Sequence, residues 1–154
     1  MKKNLLDEKI INLNIEANDN IDAINKLGKM LVENKYIDTS YIESVLEREK
    51  TFPTGLVLAN AGIAIPHASP NNNVRKNGIA IISLKKPVKF HSMENPATEI
   101  DVDMVFMLAL ASSTEHLDVL KKLFITFQNQ TLINDLKNIT DKNKFLKLLI
   151  NNLN

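Results

Sequence analysis

The chain has 154 residues, 44% of them hydrophobic and 24% charged, with only four Gly and five Pro. A chain of that length buries roughly 68–70% of the surface its unfolded form exposes, which supports one core without disulfide staples, and the composition excludes collagen-like, low-complexity and disordered classes. Nineteen basic against eighteen acidic residues leave a formal charge of +1, which argues against holding nucleic acid or an anionic membrane, and zero Cys excludes thiolate chemistry on this chain.

Near the amino terminus Asp7, Glu8 and Lys9 interrupt any apolar run that could act as a signal core. The longest apolar stretch, residues 104–111, is far short of the ~20 residues a membrane helix needs, so a cytoplasmic chain is expected, reaching a membrane only through a partner. Ile11, Leu13 and Ile15 alternate with Asn12 and Asn14, the period of a half-buried strand. Asp19 or Asn20 can cap the helix that follows, with Ile21, Ile24, Leu27, Gly28 and Leu31 on one face. Ser40 and Glu43 have the spacing of a capping box for a second helix, which carries Tyr41, Ile42, Val45 and Leu46 inward and ends near Lys50.

Residues 62–65 and 78–84 are short, β-branched runs bounded by turn residues, as expected of strands covered on both faces, with a polar loop over 69–77 between them. Residues 102–110 form a third such run. Lys86-Pro87 and Asn95-Pro96 read as turns around a short strand at 88–90. Ser112 and Glu115 repeat the capping-box spacing, Leu117, Leu120, Phe124 and Phe127 form an apolar stripe, and Thr140 can cap a last helix bearing Phe145, Leu146 and Leu149. Strands in the middle and helices at both ends predict a single α/β domain over residues 1–154, a mixed sheet between helical layers.

Three His, two Arg and seventeen Lys make a small reactive inventory. His67 follows the strand-ending Pro66, so its imidazole is presented where rigid backbone gives way to a loop; it either works there or caps the loop. His116 falls in the first turn of the helix that leaves the third buried strand. Free N–H groups and the positive dipole end favour an anion there and a neutral imidazole, while an exposed helix-start histidine is the competing reading. His91, among Lys89, Phe90 and Ser92, reads as surface. Arg48 offers a planar fork suited to phosphate oxygens, in a chain that otherwise favours Lys; a helical contact with Ser44, or a weak pair with Glu47 or Glu49, is the competing reading. One His, one helix start and one Arg are what transfer through a phosphohistidine requires, although spacing does not show that they converge. The chain has no GxxxxGK[ST], GxGxxG, HExxH or GxSxG, and its His residues are not at metal-ligand spacing, so zinc hydrolysis is a poor second reading and no cofactor or metal is expected.

The segments Leu46-Glu47-Arg48-Glu49-Lys50, Phe52-Pro53-Thr54-Gly55 and Gly62-Ile63-Ala64-Ile65-Pro66-His67, continuing through Lys85-Lys86-Pro87-Val88, 102–110 and Glu115-His116-Leu117, resemble enzyme IIA domains of the bacterial phosphoenolpyruvate-dependent sugar phosphotransferase system, mannitol/fructose class. The FPTGL stretch and the longer approach to GIAIPH look most like galactitol-type IIA proteins, from which the chain departs by having Ala68-Ser69-Pro70 and Asn71-Asn72-Asn73 where those often have an acid and a further His. The resemblance implies that His67 accepts a phosphoryl group from phospho-HPr and passes it to a cysteine of a IIB partner, serving a membrane IIC component indirectly. It implies that Arg48 and His116 flank the phosphoryl group. Thr54, whose hydroxyl could donate to a phosphoryl oxygen, joins the candidates, as do Pro66, Ala68 and Ser69 beside the histidine. A modest, largely apolar docking patch centred on Pro66, Ala68 and Phe52 would suit a donor that must leave quickly. A regulatory phosphoprotein of the nitrogen type is the alternative, disfavoured by the long stretch 51–61 with its single glycine at Gly55.

Overall fold

The computed structural model describes residues 5–153; residues 1–4, part of the amino-terminal stretch read for a signal core, lie outside them. Five strands form one sheet: β1 (Ile11–Ile15), β2 (Gly55–Val57), β3 (Gly62–Ala64), β4 (Gly78–His91) and β5 (Glu99–Ala109). Their order is β1-β4-β5-β3-β2, with β1 parallel to β4, β4 antiparallel to β5, β5 parallel to β3 and β3 antiparallel to β2. The central strands are apolar on both faces because helices cover both. Met104, Phe106 and Leu108 of β5 point into one core, while Val105, Met107 and Ala109 point into the other.

Helices α1 (Asn20–Glu33) and α2 (Thr39–Thr51) close the second core with Ala23, Ile24, Leu27, Leu31, Tyr41 and Val45. Helices α3 (Ser113–Phe127), α4 (Gln130–Asn138) and α5 (Lys142–Asn152) close the first with Leu123, Phe127, Leu132, Leu136, Phe145 and Leu149. The α/β/α sandwich expected from the sequence is therefore present. Asp19 caps α1 as expected, accepting from Asp22 N at 2.8 Å. Ile21, however, is half exposed and lies off the buried face of α1.

Several local expectations fail for identifiable reasons. Lys86-Pro87 is no turn: β4 runs through it, and the pairing slips between Ser83 and Val88, a bulge that accommodates a residue without an N–H on exposed backbone. The hairpin turn at Asn95-Pro96 does form, closed by Thr98 N on Asn95 O at 2.8 Å. Neither capping box forms. Asp38, not Ser40, precedes α2, and its carboxylate is taken by the Arg75 guanidinium rather than by helix N–H groups. At α3 the Glu115 carboxylate accepts from Asn77 Nδ2, and Asn77 Oδ1 accepts from Ala111 N at 2.8 Å, so one amide just before β4 ties down the start of that helix. The last helix is capped by Asp141, whose carboxylate reaches two helix N–H groups, in place of Thr140.

The buried stripe of α3 is His116, Val119, Leu123, Thr126 and Phe127, while Leu117 is 55% exposed and Leu120 and Phe124 are half-buried. The rotation sends His116 to the protein side. Strand β2 and helix α4 were not anticipated; β2 is three residues long, and the break between α3 and α4 falls in an otherwise helical pattern.

Candidate functional site at the ends of two parallel strands

Strands β3 and β5 are parallel neighbours, paired Ile63 with Met104 and Ala64 with Val105, so their carboxyl ends meet. The chain leaving β3 reaches His67 three residues past Ala64, and the chain leaving β5 enters α3 and reaches His116 in its first turn. Parallel pairing thus brings together two histidines far apart in sequence, at the strand ends where open α/β sheets place their ligands. The ring centroids are 5.5 Å apart, with the planes inclined by 32°.

His67 Nδ1 lies 2.8 Å from Ile65 O. A carbonyl only accepts, so Nδ1 carries the hydrogen and donates, and Nε2 is left with its lone pair outward. Burial lowers the pKa of His67; the bond to Ile65 O opposes that, and the charge of Arg48 adds to it. His116 is buried, and its pKa is pushed down to about 4, first by burial, then by His67, with the Ser112 backbone opposing and Arg48 adding a little. Both rings are accordingly neutral near pH 7.

Arg48 comes from the last turn of α2, with its guanidinium carbon 5.1 Å from the centroid of the Phe52 ring. Its Nε and His116 Nε2 are the two buried side-chain atoms without a hydrogen-bond partner among the described residues. Orphaned polar atoms are costly, and here both belong to residues around the same imidazole. Arg48, Phe52, Ala68 and Ser69 edge an open depression of about 690 Å³, continued by Glu43 and Glu47.

The loop carrying His67 is held at several points. Leu108 N donates to Pro66 O at 3.0 Å, and Ala68 N donates to the Tyr41 hydroxyl at 3.1 Å. That hydroxyl in turn donates to Leu108 O at 2.7 Å, and burial pushes its pKa up to about 12. Pro66 and Ala68 are buried, so they form the floor of the site and not the middle of an apolar docking patch. The exposed groups beside it are Phe52, Ser69 and Leu117, with acidic Glu43 and Glu47 nearby, a mixed surface. Thr54 does not turn toward the imidazoles with a free proton: its hydroxyl donates to Glu49 Oε1 at 2.8 Å and accepts from Ile65 N at 3.2 Å. His91 is exposed, with Nδ1 2.9 Å from Pro96 O.

Sequence reasoning missed Glu49 and Tyr41 as members of the site. The available signal was the four-residue spacing of Tyr41, Val45 and Glu49, which puts a carboxylate on the buried stripe of α2.

Fold and site define a class of small α/β/α proteins with a pair of uncharged histidines at the carboxyl ends of parallel strands. Residues 4–152 match the family described as phosphoenolpyruvate-dependent sugar phosphotransferase system, EIIA 2, and the chain belongs to that family of phosphotransferases. It is 29% identical over 151 residues to the mannitol-specific phosphotransferase enzyme IIA component of Halalkalibacterium halodurans, covering 97% of each chain. It is 31% identical over 120 residues to the ascorbate-specific PTS system EIIA component of Shigella boydii, covering 77% of this chain and 74% of that one. Against the mannitol-specific EIICBA component of Pasteurella multocida the identity is 31% over 147 residues, 94% of this chain but only 22% of that longer protein. Among solved structures, IIA in the complex of enzyme IIA and phosphorylated enzyme IIB of the Escherichia coli mannitol system superposes with a TM-score of 0.78 at 26% identity, over 95% of this chain and 97% of that one. Nitrogen regulatory protein IIA-Ntr of Neisseria meningitidis superposes with 0.80 at 25% identity, over 96% and 97%. No helix among the described residues is long and apolar enough to cross a membrane.

Proposed function

We propose that residues 1–154 form a single cytoplasmic IIA phosphocarrier in which His67 Nε2 takes a phosphoryl group from phospho-HPr and gives it to a cysteine of a IIB partner, serving a membrane IIC component. The observation that carries this reading is the hydrogen bond from His67 Nδ1 to Ile65 O, which leaves Nε2 as the one ring nitrogen with an open lone pair. In the accepting step that lone pair bonds to phosphorus, the donor's N–P bond breaks, and its electron pair returns to the donor imidazole. The IIB thiolate sulfur reverses the event at His67. The protein's part is positioning and charge stabilisation, since the transferring group carries its charge on three equatorial oxygens. Arg48 Nε and His116 Nε2, both without partners among the described residues, would face those oxygens. A phosphoryl dianion also raises the proton affinity of His116, letting its Nε2 carry a hydrogen and donate. Ser69 stands exposed beside the imidazole as a partner contact, with Pro66 and Ala68 setting the floor beneath it.

The sugar belongs to a polyol or related class. Galactitol is supported by the FPTGL-to-GIAIPH stretch, whereas the relatives named above are mannitol- or ascorbate-specific; transfer to a panel of IIB proteins of known sugar decides among them. A regulatory role is the second reading, supported by the superposition on nitrogen regulatory IIA-Ntr. The test is intact mass after incubation with phosphoenolpyruvate, enzyme I and HPr. Wild type should gain one acid-labile phosphoryl group that His67→Ala lacks, and added IIB should discharge it; retention of the group with every IIB protein favours the regulatory role.

A further inference from the structure

Glu49 is the only buried carboxylate among the described residues, 8% exposed, and phosphoryl transfer as derived above makes no use of it. A carboxylate on the apolar stripe of a helix costs stability unless its lone pairs are satisfied, and an apolar residue of similar volume would pack there at lower cost. Its partners are specific. Thr54 N donates to Oε2 at 2.9 Å and the Thr54 hydroxyl donates to Oε1 at 2.8 Å. The hydroxyl's single proton is thereby committed, so Oγ1 can only offer a lone pair to its second partner, and Ile65 N, just past the end of β3, donates to it at 3.2 Å. The carbonyl of that same residue accepts from His67 Nδ1.

We infer that Glu49 is a positioning residue for the phosphoacceptor: acting through Thr54, it fixes Ile65, whose carbonyl selects the Nδ1–H tautomer of His67 and turns Nε2 outward. The inference deepens the proposed function and rests on it for its kinetic consequence, but not for its structural one. Glu49 does not line the depression that edges Arg48 and Phe52, so its loss leaves the docking face intact. Once the Glu49 carboxyl is ionised, above about pH 7, both of its oxygens accept, whereas Gln at this position keeps the volume but replaces one acceptor by a donor, which cannot receive both Thr54 hydrogens. Thr54→Val removes the hydroxyl, whereas Thr54→Ser retains it.

At about pH 8.5, where Glu49 is ionised, NMR of ring nitrogens in isotope-labelled, unphosphorylated protein reads the His67 tautomer directly, and rapid-quench transfer from phospho-HPr reads the rate. Glu49→Gln and Thr54→Val should each mix the tautomers and lower the maximal rate of acceptance about tenfold, less than the roughly hundredfold of a 1 Å misplacement, with the KM for phospho-HPr unchanged. Thr54→Ser should behave as wild type. A folded Glu49→Gln or Thr54→Val protein with the wild-type tautomer and rate overturns the inference; if Glu49→Gln does not fold, the Thr54 pair decides it. If wild type takes no phosphoryl group at all, the proposed function fails while the tautomer measurement still tests the positioning.

Discussion

Arg48 separates charge from geometry, because lysine can replace its charge but not its fork or its buried Nε. With Nε unpartnered among the described residues, Arg48→Ala should slow phosphoryl acceptance about a hundredfold and Arg48→Lys about tenfold, measured by rapid quench. Two neighbouring groups set opposing pH dependences. His116 has its pKa lowered from 6.5 to about 4, so the stability it contributes is present above about pH 6.5 and is lost as pH falls through about 4. Glu49 has its pKa raised by burial from 4.5 to about 7, against the pull of Thr54, His91 and Arg48, so its contribution is present below about pH 4.5 and is lost as pH rises through about 7. Urea unfolding across this range should therefore show Glu49→Gln removing the loss on the neutral side and His116→Gln the loss on the acid side. Of these residues His67 was legible because a proline ends its strand, and Arg48 because arginine is rare in the chain. Glu49 was not, since a carboxylate next to Arg48 in sequence reads as a surface ion pair until the turn of the helix buries it.

At the level of elements, close approach discriminates two glycines. A Cβ on Gly62 of β3 would lie 1.8 Å from the Asp101 carbonyl oxygen, a backbone atom of the neighbouring strand that cannot step aside. A Cβ on Gly28 of α1 would lie 2.5 Å from Ile42 Cγ1, a side chain that can change rotamer. Gly62→Ala should cost about 3 kcal/mol, whereas Gly28→Ala, which also gains helix propensity, should fall within about 1 kcal/mol of wild type by urea denaturation. The strands with strict alternation or continuous β-branched runs were legible. Pro87 misled because a bulge tolerates what a regular ladder does not, and α3 misled because its sequence carries two overlapping apolar stripes, of which the sheet takes the one containing His116. Capping boxes failed where amides distant in sequence engaged their members, Asn73 donating to the Ser40 hydroxyl and Asn77 to the Glu115 carboxylate.

Across the whole molecule, the two helical layers and the order β1-β4-β5-β3-β2 have one functional consequence: the parallel pair β3 and β5 ends on a single edge. The layered class was legible from the sequence of strands and helices, but strand order was not, and the meeting of His67 with His116 depends on that order. Resemblance identified the pair; the pairing of the strands explains it. The floor beneath them, Pro66 and Ala68, is buried by the same arrangement, leaving a mixed rim of Phe52, Ser69, Glu43 and Glu47 for a transient partner.

The measurement that bears most directly on this account is NMR of the ring nitrogens after phosphorylation by phosphoenolpyruvate, enzyme I and HPr. Coupling of phosphorus to Nε2 of His67, with Nδ1 still protonated against the Ile65 carbonyl, is the predicted result. Coupling to Nδ1, to His91 or His116, or no adduct while HPr itself is phosphorylated, would contradict it.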